Sequence, residues 1–211
     1  MFKDLSSLTR LYLANNEIAF IEDGTLSVMT TFNDLDLRNN QLTTLPVGGD
    51  FHNKRFDRLY ISNNRITTIG SGTFVNVTCS GSCSEFSRNT LWNFGGNRIS
   101  SIESGAFQNI QGSGCTMRFG SNVLKKIASR AFDNVDICYL ELYGLELTTI
   151  SSEAFKDVTV TWDLELYSSK IATFEENPFL SLIVSNGILE LQDNAIQAVT
   201  GKLFGDSGSS V

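Results

Sequence analysis

The feature that most constrains the fold of this chain is a spaced pattern of apolar residues that recurs along its length. In residues 59–69, LYISNNRITTI, the pattern is apolar-x-apolar-x-x-Asn-x-apolar-x-x-apolar. It recurs in eight registered copies, with 23 to 33 residues between successive asparagine positions. Six copies carry the asparagine itself, at Asn16, Asn40, Asn64, Asn97, Asn122 and Asn194. The other two contain the tetrapeptide Leu-Glu-Leu-Tyr and place Leu145 and Ser169 at that position.

Each copy is long enough for one coil of chain but too short to fold alone. Alternation with period two predicts a short strand with one buried face at the start of each copy. One such unit cannot bury its apolar face, so successive units must stack into a solenoid with a continuous core. We expect the inward asparagines to bond backbone groups of the turn after the strand. Phenylalanines ten residues after the asparagine position, such as Phe74 and Phe107, are expected to fill the opposite side of the coil.

In these motifs the sequence resembles the leucine-rich repeat superfamily, in particular the 24-residue type of extracellular receptors and matrix proteins, over essentially the whole chain. The resemblance implies an α/β solenoid rich in β-structure. Such a fold is a curved, right-handed coil with a parallel β-sheet on its concave face and loops, turns and short helices on its convex face. We predict one domain over residues 1–211, in which a partial N-terminal repeat precedes the eight recognisable ones.

Within that domain, residues 75–90 are predicted to form an insertion loop and residues 205–211 a polar tail. The insertion accounts for the one interval of 33 residues between asparagine positions. Neither end of the chain carries the polar or cysteine-rich caps that solenoids of this kind use. We therefore expect the chain to be part of a longer repeat array or the product of a shortened gene model.

Composition excludes several classes of function. With a net charge of -7 over 211 residues, the chain lacks the basic surface that general nucleic-acid binding requires. No apolar run approaches the about 20 residues of a transmembrane helix, so we expect no membrane insertion by this segment. The lone His52 and the lack of metal-ligand or phosphate-loop spacing predict no metal and no cofactor. Carboxylates on an exposed sheet lack the desolvation that catalytic pairs need, so we expect no enzyme and no catalytic residue.

Four cysteines and one glycosylation sequon bear on the compartment in which the chain works. Cys115 and Cys138 occupy equivalent positions of adjacent coils, about 4.8 Å apart, which favours a disulfide between them. Cys79 and Cys83 share the insertion and could close on each other. Alternatively, Cys115 and Cys138 are small buried apolar residues. Disulfides and glycosylation of Asn76, in Asn-Val-Thr, favour an extracellular or cell-surface location, with the cytoplasm as the alternative.

The outward residues of the strands are expected to form columns across the sheet. Charges alternate in sign along the early columns, but residues 131–211 carry 3 basic and 13 acidic side chains, or -10, against 13 and 10, or +3, for residues 1–130. Tyrosines, which are enriched at protein interfaces, lie beside the late carboxylates. We predict that the ligand-binding residues are Tyr12, Asp36, Tyr60, Arg118, Tyr139, Glu141, Tyr143, Asp163, Glu165, Tyr167 and Glu190.

These patterns predict a protein-recognition module that binds a protein or peptide ligand on the concave face, as part of a larger receptor or secreted protein. A more specific form of this hypothesis is that the ligand is a basic protein or peptide. One alternative is a structural or adhesive matrix solenoid that self-associates through uncapped ends. Another is a cytosolic scaffold or the sensor region of a receptor kinase. The competing interpretation is that the outward polar residues only keep an exposed sheet soluble and bind no ligand.

Overall fold

A computed structural model describes residues 4–46, 49–81, 83, 91–112 and 114–204. Three parallel sheets run side by side along the axis of a coil, which confirms the predicted solenoid. The long sheet contains the strands Arg10–Tyr12, Thr31–Asp36, Arg55–Tyr60, Leu91–Asn93, Thr116–Arg118, Tyr139–Glu141, Leu164–Glu165 and Leu189–Glu190. Neighbouring strands of this sheet belong to successive repeats, as the apolar pattern predicts.

The rest of each coil builds two further sheets of five strands each. The first short sheet contains Thr68–Ile69, Ser101–Ile102, Lys126–Ile127, Thr149–Ile150 and Thr173–Phe174. The second short sheet contains Phe74–Val75, Phe107–Ile110, Phe132–Ile137, Thr159–Val160 and Ile183–Val184. Within the described ranges the only helix is the 3-10 turn Gly201–Leu203. The short helices expected opposite the long sheet are therefore replaced by extended segments, which pair with the same segment of the next coil.

Three corners per coil separate the sheets, and left-handed backbone conformations recur at two of them. The residue before the asparagine position has φ between 51° and 65° in every repeat, whether it is Asn39, Gly96 or Ser168. A second such position follows nine residues later, as at Gly105 and Arg130. This conformation turns the chain sharply and favours glycine, asparagine and aspartate.

The inward asparagines stabilise the first of these corners. Asn64 Nδ2 donates to the backbone oxygens of Ile61 at 2.9 Å and Leu37, in the preceding coil, at 3.0 Å. Asn64 Oδ1 accepts a hydrogen bond from the backbone N–H of Leu42 at 3.0 Å. Asn40, Asn97, Asn122 and Asn194 make equivalent bonds. The asparagines thus link each coil to its predecessor as well as closing the turn.

Rows of stacked rings fill the interior. Phe74, Phe107 and Phe132 stack with ring centroids 5.1 Å apart and planes within 3°. The row continues through Phe155 and Phe179 to Phe204, which is 55% exposed at the end of the row. Because the coils repeat at about 4.8 Å, identical side chains in register fall at stacking distance. Burial of these rings and of the strand leucines supplies the main stabilisation of the fold.

The first residues of the predicted insertion pair with neighbouring coils. Phe74–Val75 is a strand of the second short sheet, and Thr78 bridges Arg55 on one side and Gln111 on the other. The backbone N–H of Cys79 donates to the backbone oxygen of Gln111. Residues 75–79 are therefore part of the stacked coil. Of the remainder of the predicted insertion, residues 82 and 84–90 lie outside the described residues, as does the predicted tail at 205–211.

The disulfide pairing also differs from the expected one. Cys79 is bonded to Cys115 and Cys83 to Cys138, with Cα atoms 6.0 and 5.6 Å apart. Cys115 and Cys138 do lie on adjacent coils, since the N–H of Cys138 donates to the oxygen of Cys115. Cys79 bonds to Cys115 rather than to Cys83 because Cys79 is held in the sheet ladder rather than in a free loop. The two bonds link Cys79 and Cys83 to the two repeats that follow them.

Candidate ligand-binding face

The long sheet brings the predicted central column together. Tyr12 is in register with Asp36, Asp36 with Tyr60, and Tyr60 with Asn93. The same register continues through Arg118 and the late carboxylates Glu141, Glu165 and Glu190. Parallel pairing in register leaves each of these side chains about 4.8 Å from its neighbours in the column. Charge and ring contacts between neighbouring coils therefore determine the chemistry of this face.

The first three coils neutralise their own charges. Asp34, 4% exposed, lies between Arg10 at 3.5 Å and Arg58 at 2.5 Å, and accepts a hydrogen bond from the Tyr12 hydroxyl. This is the ladder of opposite charges that the early columns predict. Little net charge remains here for a ligand to recognise.

Asp36 and Arg38 form a second internal pair in these coils. Burial raises the pKa of Asp36, but the hydrogen bonds and charge of Arg38 outweigh burial and hold the pKa below its ordinary value. The Arg38 guanidinium also lies over the Tyr60 ring, 4.7 Å from its centroid. Both the carboxylate and the guanidinium are thus engaged within the sheet, and Tyr60 is partly covered.

Arg118 is paired with Glu141 by two bonds. Its Nε and Nη2 donate to the Glu141 carboxylate at 2.5 and 3.1 Å. Hydrogen bonding to Glu141 raises the pKa of Arg118, although burial acts in the opposite direction. Glu141 is fully buried, and Glu165 is only 6% exposed. The expectation that these two glutamates point into open solvent is wrong, because side chains of adjacent coils shield one another.

Tyr143 and Tyr167 stand side by side on the same face. Their ring centroids are 4.9 Å apart and their planes differ by 2°. Burial raises the pKa of Tyr167, and the carboxylates of Glu165, Glu190 and Glu141 contribute in the same direction. These carboxylates therefore create a negative electrostatic potential at the tyrosine pair, which favours approach by a cationic group.

Three carboxylates converge in the last two coils. Oxygens of Asp163, Glu165 and Glu190 all lie within 4.8 Å of one another. Asp163 Oδ1 accepts the backbone N–H of Ile188 at 3.0 Å, and Glu190 Oε2 accepts Gln192 Nε2 at 2.5 Å. This donor set suits a hard cation or the ammonium or guanidinium group of a ligand.

The predicted ligand-binding residues therefore divide by accessibility. Asp36, Tyr139, Glu141 and Glu165 are buried, at 6%, 2%, 0% and 6% exposure. Tyr12 is 63% exposed. Intermediate exposure is shared by Tyr60, Arg118, Tyr143, Asp163, Tyr167 and Glu190. A ligand on this face can contact Tyr12 and the residues of intermediate exposure directly, whereas the buried residues act through their neighbours.

The sequence reasoning missed a notch in the middle of the face. It has a volume of about 590 Å³, and its lining includes Ser62, Asn93, Gly95, Arg118, Gly120 and Tyr143. The column two residues after the central one reads Arg38, Ser62, Gly95, Gly120, Tyr143 and Tyr167. Its two glycines leave room between larger side chains. The sequence did contain a signal for this notch, namely two adjacent glycines in a column of outward residues.

The comparisons with known proteins concern the repeat. A family model described as BspA type leucine rich repeat region matches residues 82–200, in six copies, which is more than half of the chain. No curated protein matches the sequence. Within the described ranges there is no helix of the length and apolar character needed to span a membrane.

Proposed function

This chain belongs to the BspA-type leucine-rich repeat family, and from that premise we propose that it recognises a protein or peptide ligand on the long sheet. We further propose that it does so as part of a larger receptor or secreted protein, and that it has no catalytic activity. Repeat modules of this kind offer an extended surface built from many short elements, which suits recognition of another macromolecule. A basic ligand is the partner that the charge of this surface favours.

The observation that carries the proposal is the change in the surroundings of the carboxylates along the long sheet. In the first three coils Asp34 and Asp36 are each held by arginines of the same sheet. In the last two coils oxygens of the carboxylates of Asp163, Glu165 and Glu190 converge to within 4.8 Å of one another. Like charges at this spacing repel one another, and a cationic side chain from a ligand would relieve that repulsion. The adjacent tyrosine pair adds apolar contact area suited to an interface.

Two features support an extracellular or cell-surface location for this module. All four cysteines are paired in disulfides, which persist in oxidising compartments. Asn76, the first residue of the sequon, is exposed directly after the strand Phe74–Val75, where glycosylation enzymes could reach it. We propose that Asn76 is glycosylated in organisms that carry out this modification. A mass shift removed by an amidase specific for N-glycans, and lost in N76Q, would test this.

The proposal is tested by selecting peptides that bind the folded chain from a random display library. We expect the recovered peptides to be enriched in lysine and arginine. The double variant D163K/E190K should weaken their binding by about five- to thirtyfold, since two interfacial ion pairs together contribute about 1–2 kcal/mol. Both positions are partly exposed, so these changes spare the buried core. Reversal of Glu141 is unsuitable, because a lysine there would face Arg118.

The matched control is E17K, which makes the same charge change per residue at an exposed position outside the long sheet. Binding by E17K should stay within about twofold of wild type, apart from long-range screening effects. Equal losses in the control and the double variant would show a general charge effect. Selection of acidic or uncharged peptides would contradict the basic partner.

Self-association is the second candidate, favoured by apolar side chains exposed in the first and last coils. Phe20 is 72% exposed and Val199 is 75% exposed. Sedimentation at several concentrations separates the two functions. A molar mass that rises with concentration, and falls in F20S, would favour the adhesive solenoid. A constant monomer mass would favour recognition of a different molecule.

A further inference from the structure

Beyond protein recognition, we propose that the notch in the long sheet is a binding site for a neutral pyranoside sugar, with the ring of Tyr143 as its stacking platform. The notch is separate from the carboxylates of Asp163 and Glu190, which lie in later coils. Its volume of about 590 Å³ lies within the range of ligand pockets, about 300–1,000 Å³.

The platform arises from the register of neighbouring coils. Arg118 pairs with Glu141, so Gly120 and Tyr143, each two residues later, occupy equivalent positions. One face of the Tyr143 ring is stacked on Tyr167. The other face is directed towards the coil of Gly120, which has no side chain to cover it.

Gly120 leaves one side-chain position of the column empty. A Cβ atom placed on Gly120 would have no heavy atom within 4 Å. The next residue of the column is also a glycine, Gly95, but Asn93 Oδ1 lies 3.0 Å from the position its Cβ atom would take and so closes that end of the notch. A six-membered ring can therefore lie against Tyr143 at the 4.9 Å spacing that Tyr167 adopts on the other side.

The remaining walls are polar and carry both donors and acceptors. Asn93 Oδ1 accepts the backbone N–H of Gly95 at 2.9 Å, and within the described part of the chain no group accepts from Asn93 Nδ2. Arg118 uses two of its five N–H groups on Glu141. The hydroxyl group of Ser62 can both donate and accept. One apolar wall and mixed polar walls match a pyranose ring, which has an apolar C–H face and hydroxyl groups around its edge.

Other planar groups fit this lining less well. An arginine side chain of a ligand would bring its positive charge and donors towards the guanidinium of Arg118. A phenyl ring would cover the Asn93 amide and the glycine backbone without bonding to them, which is unfavourable for polar groups removed from water. The carboxylates of Glu141 and Glu165 disfavour acidic sugars. A neutral sugar avoids each of these costs.

The test is saturation-transfer-difference NMR with three probes: methyl β-D-galactopyranoside, methyl β-D-glucopyranoside and methyl α-D-mannopyranoside. We expect at least one probe to receive saturation, most strongly at the ring protons that face Tyr143, with an affinity in the millimolar range. G120Y should abolish the signal, because its ring would continue the tyrosine stack and fill the notch. This variant should fold, since Gly120 has open space and no left-handed φ.

Two further variants separate stacking from general effects. Y143F keeps the ring and should retain the signal, whereas Y143A should lose it. The matched control for G120Y is G201Y, because a Cβ atom placed on Gly201 would also have no heavy atom within 4 Å, and this residue lies in the 3-10 turn away from the long sheet. G201Y should bind as wild type does.

Several outcomes would overturn the assignment. These are no saturation of any probe by the wild-type chain, an undiminished signal in G120Y, or displacement of the sugar by N-acetylphenylalaninamide or N-acetylargininamide. The last result would assign the notch to a side chain of a protein partner. None of these outcomes depends on the carboxylates that the peptide-binding test changes, so the two proposals can fail separately.

Discussion

The asparagine of the turn offers the sharpest test of what holds the coils together, and N64L is the change that isolates it. Asn64 is 7% exposed, and leucine has nearly the same size and shape. The chain itself places a buried leucine, Leu145, at the equivalent position of another repeat. The substitution therefore removes hydrogen bonds without leaving a large cavity.

The bonds that are lost can be counted. The backbone oxygens of Leu37 and Ile61 each lose Asn64 but keep a second donor, from Asn40 and Asn97 respectively. The backbone oxygen of Ser62 loses a longer bond of 3.4 Å and keeps the N–H of Asn39. The N–H of Leu42 loses the side-chain oxygen that accepts it at 3.0 Å. One stranded buried donor costs about 1–3 kcal/mol and each lost bond about 0.5–1.5 kcal/mol. For one stranded donor and the two shorter bonds, and since the added apolar surface offsets about 1 kcal/mol, N64L should destabilise the fold by about 1–5 kcal/mol, with a central value of about 3 kcal/mol.

Guanidinium unfolding followed by fluorescence of the buried Trp92 measures this loss. The control is N16L, because, among the residues that the structure describes, exposed Asn16 donates only to the backbone oxygens of Leu13 and Ala14, within its own coil. N16L should cost less than about 1 kcal/mol. If N64L unfolds within about 0.5 kcal/mol of wild type, or no earlier than N16L, then linkage of coils by the asparagine contributes little and the reasoning fails.

Three further predictions follow from the same contacts. S169N should raise the free energy of unfolding by about 1 kcal/mol, because asparagine reaches carbonyls of the turn that the shorter serine does not, and chemical unfolding measures this. In C83S, alkylation and tryptic mass spectrometry should find the free thiol at Cys138; a free thiol at Cys79 would contradict the pairing. The pKa of Asp36 is lowered, so its pairing with Arg38 stabilises the fold above the ordinary aspartate pKa and loses this effect as pH falls through the lowered value. The stability difference between wild type and R38M should accordingly be full at pH 7 and shrink in acid; a difference independent of pH would contradict it.

Much of the fold was predictable because the same spacing of apolar residues recurs eight times along the chain. The alternating leucines specify a strand, and the asparagine specifies the turn after it. The register of the central column also follows, since in a parallel solenoid equivalent residues must become neighbours. For this reason the pairing of Tyr12 with Asp36 and of Glu141 with Glu165 could be predicted without coordinates.

The candidate site was less predictable, because accessibility depends on what neighbouring coils place beside each residue. Glu141 looks outward in the sequence pattern, yet Arg118 of the preceding coil binds it and it is fully buried. Lys54 is similar: only 4% exposed, it donates to the backbone oxygens of Ser27 and Met29, and burial lowers its pKa. Both the contact of Arg118 with Glu141 and those of Lys54 with Ser27 and Met29 join different repeats.

By itself, the sequence determined the solenoid, the order of strands in the long sheet and the identity of the inward residues, because these depend on spacing within and between repeats. The tertiary structure alone decided which outward residues remain accessible, how the four cysteines pair and where the notch opens. Those properties depend on distances between side chains from different coils. In Leu-Glu-Leu-Tyr, spacing predicts the two leucines to be buried, whereas only the surrounding coils show that Glu141 is covered and one face of Tyr143 is left open.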